Sequence, residues 1–152
     1  MATHCSDIFD LFLSLNDDYK LTALYQSQGT AGLNTYLEPW LLMSINEFDS
    51  ICTQDLTYNT STQEFSVDLT NENKLMLCQI MIKYWLQRKI QNLLQMDIHI
   101  QDHDYKTHSE NQNLQAKQQA YRDKREEVSQ LLIDYAYKYN AWTSWESQIY
   151  RS

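Results

Sequence analysis

The sequence predicts a mainly α-helical fold: a bundle of about four helices with a long C-terminal helix and one small β-hairpin. Both glycines and the single proline lie before residue 40 of this 152-residue chain, so residues 40–152 lack the residues that most often interrupt helices. Apolar side chains recur at helical spacing through most of that stretch and alternate with polar ones only near residues 54–69. We expect one helical domain over residues 1–141 and a C-terminal tail over residues 142–152.

The first helix is expected over residues 8–15 and on toward residue 25. Ser6 or Asp7 can cap it, because both residue types accept hydrogen bonds from the free N–H groups of a first helical turn. His4 precedes this helix, stands apart from the other histidines and is expected to be disordered.

A glycine-bearing loop, QSQGTAG at residues 26–32, is expected to separate the first helix from the second. The second helix runs to about residue 48, with Pro39 in its first turn, where a missing N–H costs little. Apolar residues follow Pro39 closely, so this helix is expected to be mostly buried. They are Trp40, Leu41, Leu42, Met43 and Ile45.

Residues 54–69 predict the hairpin, because apolar and polar residues alternate on both sides of the polar run NTSTQ. A single hairpin is not stable alone in water, so it must pack against the helices or pair with another chain. Its alternating apolar residues are Leu56, Tyr58, Phe65, Val67 and Leu69.

A third helix is expected over residues 71–96, capped by Asp68 or Thr70. Its middle is apolar nearly all round, which is typical of a central buried helix. Cys78 lies on its apolar face, where a thiol behaves as a small hydrophobe. The polar residues 97–108, rich in histidine and aspartate, are expected to form an irregular linker.

A fourth helix is expected from about residue 109 to 141, roughly 50 Å long. One apolar position recurs every seven residues, and its companion position is apolar only in the second half of the helix, at Leu131 and Leu132. The repeating residues are Leu114, Tyr121, Val128, Tyr135 and Trp142.

In the first half of this helix the companion position is occupied by Lys117, Gln118, Lys124 and Arg125. Two interpretations remain open: the early turns protrude into solvent, or they meet a polar partner such as a neighbouring copy of the chain. In the second interpretation, the lateral contacts between subunits come from Lys117, Tyr121, Lys124 and Arg125.

Residues 135–150 are rich in tyrosine and tryptophan, more than one helix face can bury. Tyr135, Tyr139 and Trp142 fit the apolar seam of the helix. The remainder either folds back on the same chain or stays exposed as an association surface, for which aromatic anchors are typical. The candidate docking residues are Tyr137, Trp142, Trp145, Ile149 and Tyr150.

Composition narrows the possible partners. The net charge of −8 repels phosphate backbones, which excludes tight wrapping of DNA or RNA but not a protein past which DNA slides.

The three cysteines lie far apart without a CxxC motif or a secretory leader, which indicates reduced thiols in a cytoplasmic environment. The most apolar run, residues 75–86, is too short to span a bilayer, so no membrane segment is expected.

No catalytic constellation and no cofactor or metal site is predicted. His99 and His103 have an i, i+4 spacing that could share a metal, but this spacing matches no established zinc module, and a solvated linker is the favoured interpretation. Catalysis by a Cys–His pair would need Cys5, Cys52 or Cys78 beside a histidine, and no reactive cysteine nucleophile is expected.

A family resemblance is carried by five stretches in this order: FSVDLT at residues 65–70, WLQRKI at 85–90, DYK at 104–106, SEN at 109–111 and LIDYAY at 132–137. Together they resemble the head–tail connector (neck adaptor) proteins of tailed bacteriophages, over about half of the chain. In that family an FxVDLTxxE entry precedes a helix ending near WLKxQI, and a long helix ends in LIxDYxY. The chain departs from the pattern in its extra histidines, in its paired tryptophans near the C terminus, and at Asn73, where an acid is usual.

This resemblance implies a structural virion protein rather than an enzyme. It implies a ring of about twelve copies under the portal, extending the DNA channel toward the tail. Such a ring docks on the portal protein through C-terminal elements, packs laterally through its long helices and meets other neck or tail proteins. DNA passes through it without specific binding. The expected location is the neck of the virion, after assembly in the bacterial cytoplasm.

Two other classes of function fit the same sequence. A small acidic helical protein that binds and modulates a host protein has the same profile, and a one-to-one complex would distinguish it from a ring. A hydrolase or metalloprotein would use the histidine-rich segment at residues 97–108, and bound metal would distinguish it.

Overall fold

The computed structural model of the protein describes residues 1–16, 18–100 and 107–141. It confirms a mainly helical fold with one small antiparallel hairpin and a long C-terminal helix. In chain order the elements are α1 (Cys5–Leu15), α2 (Tyr19–Phe48), β1 (Tyr58–Asn59), β2 (Glu64–Phe65), α3 (Asn71–Ile100), α4 (Thr107–Ala136) and a π-helical turn (Tyr137–Ala141).

Helix α1 begins earlier than predicted because His4, not Ser6 or Asp7, is its N-cap. The Nδ1 atom of His4 accepts a hydrogen bond from the Ser6 amide at 3.2 Å. His4 also forms an isolated antiparallel bridge with Glu64, so the expectation that it is disordered is wrong. The helix ends at Leu15, because the following Asn16 has extended backbone angles, and it does not continue toward residue 25.

The predicted loop at residues 26–32 is wrong, because these residues lie inside α2. Gly29 alone departs from helical geometry, with φ 70° and ψ −166°, a conformation that essentially only glycine adopts. The glycine therefore divides α2 into two arms without creating a loop.

Pro39 lies well inside the second arm of α2, not in its first turn as predicted, because that arm begins directly after Gly29. The arm is also less buried than expected. Leu41 and Phe48 are fully buried, but Leu42 and Met43 are exposed, so one face of the arm meets the core and the other meets solvent.

The hairpin is confirmed, although its strands are much shorter than residues 54–69. Tyr58 pairs with Phe65 and Asn59 with Glu64 around the predicted turn. The N-terminal residues run along its open edge: the amide of Phe65 donates to the carbonyl of Thr3 at 2.8 Å, and the amide of Thr3 donates to the carbonyl of Val67 at 3.2 Å. The chain's own N terminus therefore covers this edge of the hairpin, which leaves that edge unavailable to another chain.

Helix α3 is the central element, as predicted, and it contacts α1, α2 and α4. Its N-cap is Thr70, whose hydroxyl oxygen accepts a hydrogen bond from the Asn73 amide at 3.3 Å. Cys78, Ile80 and Met81 are fully buried at its middle. The edge-to-face contact of Trp85 with Phe12, with ring centroids 5.7 Å apart, packs α1 against this helix.

The irregular linker predicted for residues 97–108 is wrong at both ends. The backbone of α3 continues to Ile100, and α4 begins at Thr107. Residues 101–106 lie outside the described part of the chain. The two helices run antiparallel, since Lys124 of α4 meets Gln79 of α3 while Tyr135 meets Asn73.

The predicted seam of α4 is observed, with Val128 and Tyr135 buried and Leu131 and Leu132 half-buried. Over residues 112–120 of this helix most side chains are exposed, and so are Gln91, Asn92 and Leu94 of α3. Residues 91–100 of α3 and 107–120 of α4 therefore form a helical arm that extends beyond the body of the bundle.

Tyr135 fixes the end of α4 to the body. Its hydroxyl donates to Asn73 Oδ1 at 2.8 Å and accepts from the Thr53 amide at 3.1 Å and from Thr53 Oγ1 at 3.0 Å. Its ring packs against Phe48 and Tyr139, at centroid distances of 5.0 and 4.6 Å. One side chain thus joins α4 to α3, to the end of α2 and to the loop that follows α2.

We predict that Tyr135→Phe lowers the free energy of unfolding by about 1–3 kcal/mol, because it leaves Asn73 Oδ1 and the Thr53 amide without their partner. Urea unfolding followed by circular dichroism measures the change. The matched control is Tyr137→Phe, which removes the same hydroxyl from a side chain that is 75% exposed and is expected to change stability by less than about 0.5 kcal/mol. Equal effects of the two substitutions would contradict the anchoring role of Tyr135.

Candidate functional site: the outer face of the C-terminal helix

The side of α4 opposite its buried seam carries exposed apolar residues next to charged ones. Ile133 is 58% and Tyr137 75% exposed, and their i, i+4 spacing places them side by side. A shallow depression is formed beside them. The outer face, as we call this surface, comprises Arg122, Arg125, Glu126, Ser129, Gln130, Ile133 and Tyr137.

This face has the composition of a small association surface, with an apolar pair inside a rim of charged and polar groups. Ile133 was not among the residues selected from the sequence. Its exposure could have been predicted from the sequence, because Ile133 follows Leu131 and Leu132 of the seam and so falls on the opposite side of the helix. An isoleucine on that side of the helix cannot pack into the core.

The four predicted lateral-contact residues fall into two groups. Lys117 and Arg125 are exposed, and Tyr121 is half-buried. Lys124 is tied within the chain, to the Gln79 side chain of α3 and to Glu127 at 3.1 Å, and its side chain is only 16% exposed. Lys124 therefore joins α3 to α4, whereas the other three remain available to a neighbour.

Of the predicted docking residues, Tyr137 is the one whose position is described, and it lies at the end of the outer face. Trp142, Trp145, Ile149 and Tyr150 lie outside the described residues.

The π-helical turn that carries Tyr137 is held by contacts to Glu72 at the start of α3. The Tyr139 hydroxyl donates to the Glu72 carboxylate, and Lys138 Nζ lies 3.1 Å from it. The hydrogen bond from Tyr139, together with the bond and charge of Lys138, lowers the pKa of the Glu72 carboxyl below its usual value. The turn is thus attached to the body through one ionised carboxylate.

One cysteine lies beside the histidine that precedes it in the sequence: Cys5 Sγ is 3.8 Å from His4 Nδ1. The pair cannot act as nucleophile and base. The Nδ1 lone pair of His4 accepts the Ser6 amide, and Cys5 is fully buried, which raises the pKa of its thiol. The pair forms because the N-terminal residues lie along the hairpin and bring His4 to the start of α1.

The other thiols are also unactivated. Burial raises the pKa of Cys78 to about 12, and burial likewise raises the pKa of the half-buried Cys52. Within the described part of the chain, no three or more His, Cys, Asp or Glu side chains are grouped so as to hold a metal ion. The side chains of His99 and His103 lie outside that part.

None of the described helices combines the length and the apolar character needed to cross a lipid bilayer.

No protein family, curated protein or solved structure matches the chain at a significant level.

We predict that the π-helical turn loosens in acid. Because the pKa of Glu72 is lower in the folded state than in the unfolded one, its ionised form stabilises the turn above the unfolded pKa, and this contribution is lost as the pH falls through the folded pKa. Hydrogen-exchange protection of residues 137–141 should decrease between about pH 6 and pH 3. The Glu72→Gln variant should show low protection at both values, and protection in the wild type that does not change with pH would contradict this role of Glu72.

We predict that Cys5 and Cys78 react with an aromatic disulfide reagent at about pH 8 only after the protein unfolds, because both thiols are fully buried and protonated. The half-buried Cys52 should react first. Mass spectrometry of the labelled protein, in buffer and in urea, identifies the sites. Fast labelling of Cys5 in the native protein would show that the Cys5–His4 pair is reactive after all.

Proposed function

We propose that the protein is a structural virion component: a head–tail connector that forms a ring under the portal of a tailed phage and extends the DNA channel toward the tail. The observation that supports this best is the exposed outer face of α4, which ends at Tyr137, where the chain goes on toward an aromatic-rich tail. A long helix with one face packed and the other unpartnered is suited to a protein that completes its packing on assembly.

Lateral packing in such a ring joins two different surfaces of neighbouring copies, because contacts under cyclic symmetry with more than two copies are heterologous. The helical arm offers one such surface. Beyond the body its side chains are mostly exposed, yet it keeps apolar residues, with Leu94 at 39% exposure and Leu93 and Leu114 half-buried. An arm of this kind gains buried area when a second copy lies against it.

Docking on the portal uses the end of α4. Tyr137 is the most exposed tyrosine of the described chain, and the predicted docking residues Trp142, Trp145, Ile149 and Tyr150 follow it directly. Tyrosine and tryptophan are the side chains that most often carry binding energy at protein interfaces. The net charge of −8 suits a channel through which DNA moves, because it opposes adhesion of phosphates.

The placement in the virion is tested by electron cryomicroscopy of purified particles from the phage that carries the gene. The expected result is a symmetric collar directly under the portal, into which the α3–α4 pair and the hairpin can be fitted. A one-to-one complex with a host protein, together with absence from the virion, would favour the modulator of a host protein instead.

We predict that Tyr137→Ala combined with Trp142→Ala and Trp145→Ala abolishes the joining of heads to tails, because interface aromatics each contribute about 2 kcal/mol or more to binding. Plaque counts and micrographs of unjoined heads measure the effect, while the circular dichroism spectrum stays helical. Tyr25→Ala is the matched control, since Tyr25 is 52% exposed on α2, away from the outer face. Normal infectivity of the triple variant would refute docking through this segment.

A further inference from the structure

A cleft with a volume of about 320 Å³ lies at the base of the helical arm, between the start of α2, the middle of α3 and the first half of α4. Its apolar surface includes Leu21 and Trp85. Four of the chain's 12 lysines and arginines line it, although the chain as a whole is strongly acidic. They are Lys20, Arg88, Lys89 and Lys117.

One of these cations is already paired inside the chain. Lys89 forms an ion pair with Asp18, whose side chain is 5% exposed, and its ammonium also lies 4.0 Å from the centroid of the Trp85 ring. Asp18 is the only carboxylate among the lining residues. In the described part of the chain, Lys20, Arg88 and Lys117 have no carboxylate within ion-pair distance. Among the described residues that line the cleft, four cations thus accompany one carboxylate, which leaves an excess of three positive charges.

The opposite end of the bundle has the opposite charge. Around the hairpin lie the carboxylates of Asp7, Asp55, Glu64 and Asp68. Lys74 contacts two of them, at 3.4 Å from Asp7 and 4.0 Å from Asp68. Asp55 is held by the hydroxyls of Thr57 and Ser66 and has no cationic partner within the described residues, and neither has Glu64. We call these four acidic residues the hairpin end.

The two ends cannot neutralise each other within one molecule. Fourteen residues of α3 separate Lys74 at the hairpin end from Arg88 at the cleft, which is roughly 21 Å along a helix. The side chains cannot bridge that distance, and salt screens charges beyond about 8 Å at physiological ionic strength. Charges that are separated in this way within one chain can be paired between two chains arranged head to tail.

We propose that the cleft receives the carboxylates of the hairpin end of a second copy, so that this contact repeats from subunit to subunit. The inference rests on the ring of the proposed function and names the lateral contact within it. Lys117, one of the lateral-contact residues selected from the sequence, lines the cleft. Because the cleft and the hairpin end are different surfaces, the contact is heterologous, as a closed ring of more than two copies requires.

Carboxylates of a protein fit this cleft better than the phosphates of a duplex. The cavity holds a few side chains, and its apolar residues can pack against the stems of such side chains. The net charge of −8 opposes a duplex along its whole charged backbone. A second copy carries the same net charge, but it brings only the few carboxylates of its hairpin end into the local field of the cleft.

Zero-length carbodiimide cross-linking tests the contact on the full chain at low ionic strength. In an equal mixture of ¹⁴N- and ¹⁵N-labelled protein, mass spectrometry separates cross-links between copies from those within one. We expect mixed-isotope cross-links that join Lys20 or Lys117 to Asp55, Glu64 or Asp68. Intermolecular cross-links that connect the cleft lysines only to other acids would overturn the proposal, as would their absence.

A charge exchange gives the second test. Lys20→Glu, Arg88→Glu and Lys117→Glu together should weaken self-association in sedimentation experiments about tenfold or more, and so should Glu64→Lys with Asp68→Lys. Mixing the two variants should restore association, because the reversed charges are again complementary. Arg122→Glu, on the outer face, is the control for charge alone. Failure of the mixture to recover would overturn the pairing.

The outcomes separate this inference from the proposed function. A symmetric collar in the virion without these cross-links would leave the connector in place and refute the contact. Cross-links without a collar would establish the contact and refute the role in the virion. Binding of a short DNA duplex that disappears in the cleft variant, with no effect on self-association, would assign the cleft to phosphates and overturn the proposal.

Discussion

The position of the C-terminal helix depends on the hydroxyl group of Tyr135. It gathers an amide, a hydroxyl and a side-chain carbonyl from two other parts of the chain, and all of these groups would be left without partners if α4 moved away. Leaving a buried polar group unpaired raises the free energy of the folded state by more than pairing it lowers that free energy. The network therefore favours this position of α4 over alternatives that would break it. Because this end of α4 is fixed, the outer face and the helical arm have defined directions relative to the body.

The hairpin end is acidic and the cleft is basic, and the two lie far apart because the antiparallel α3–α4 pair is long. The tyrosine network holds the pair at the hairpin end, and the basic cleft lies where the pair leaves the body. A bundle of equal, short helices would bring acidic and basic groups within each other's screening distance, and they would pair inside the chain. The length of the helices therefore keeps the acidic hairpin end and the basic cleft apart on one small chain, which the proposed contact between neighbouring copies requires.

Much of the fold could be predicted from the sequence because its signals are local. The absence of glycine and proline after residue 39, the seven-residue repeat through Val128 and Tyr135, and the NTSTQ turn each act over a few neighbouring residues. The predictions are wrong where the local structure depends on contacts or geometry that the neighbouring sequence does not reveal. His4 caps α1 because the hairpin holds it there, and Gly29 interrupts the helical geometry of α2 at one residue, so that two helical arms meet without the predicted loop. The same limit applies to the surfaces: Lys20, Arg88 and Lys117 come from three helices, and their clustering has no signal in any one segment.

A function in assembly also agrees with the positions of the thiols, the His4 side chain and the charged groups in this chain. Cys5 and Cys78 are buried with raised pKa values, and His4, which lies beside Cys5, acts as a helix cap, so these groups serve the fold. The cations of the cleft, the carboxylates of the hairpin end and the exposed apolar side chains of the outer face lie instead at the surface. Enzymes concentrate perturbed groups in a cleft that excludes water, whereas here the cleft gathers unpaired cations beside an ion pair that is already satisfied. Such an arrangement suits the proposed binding of carboxylates from a neighbouring copy.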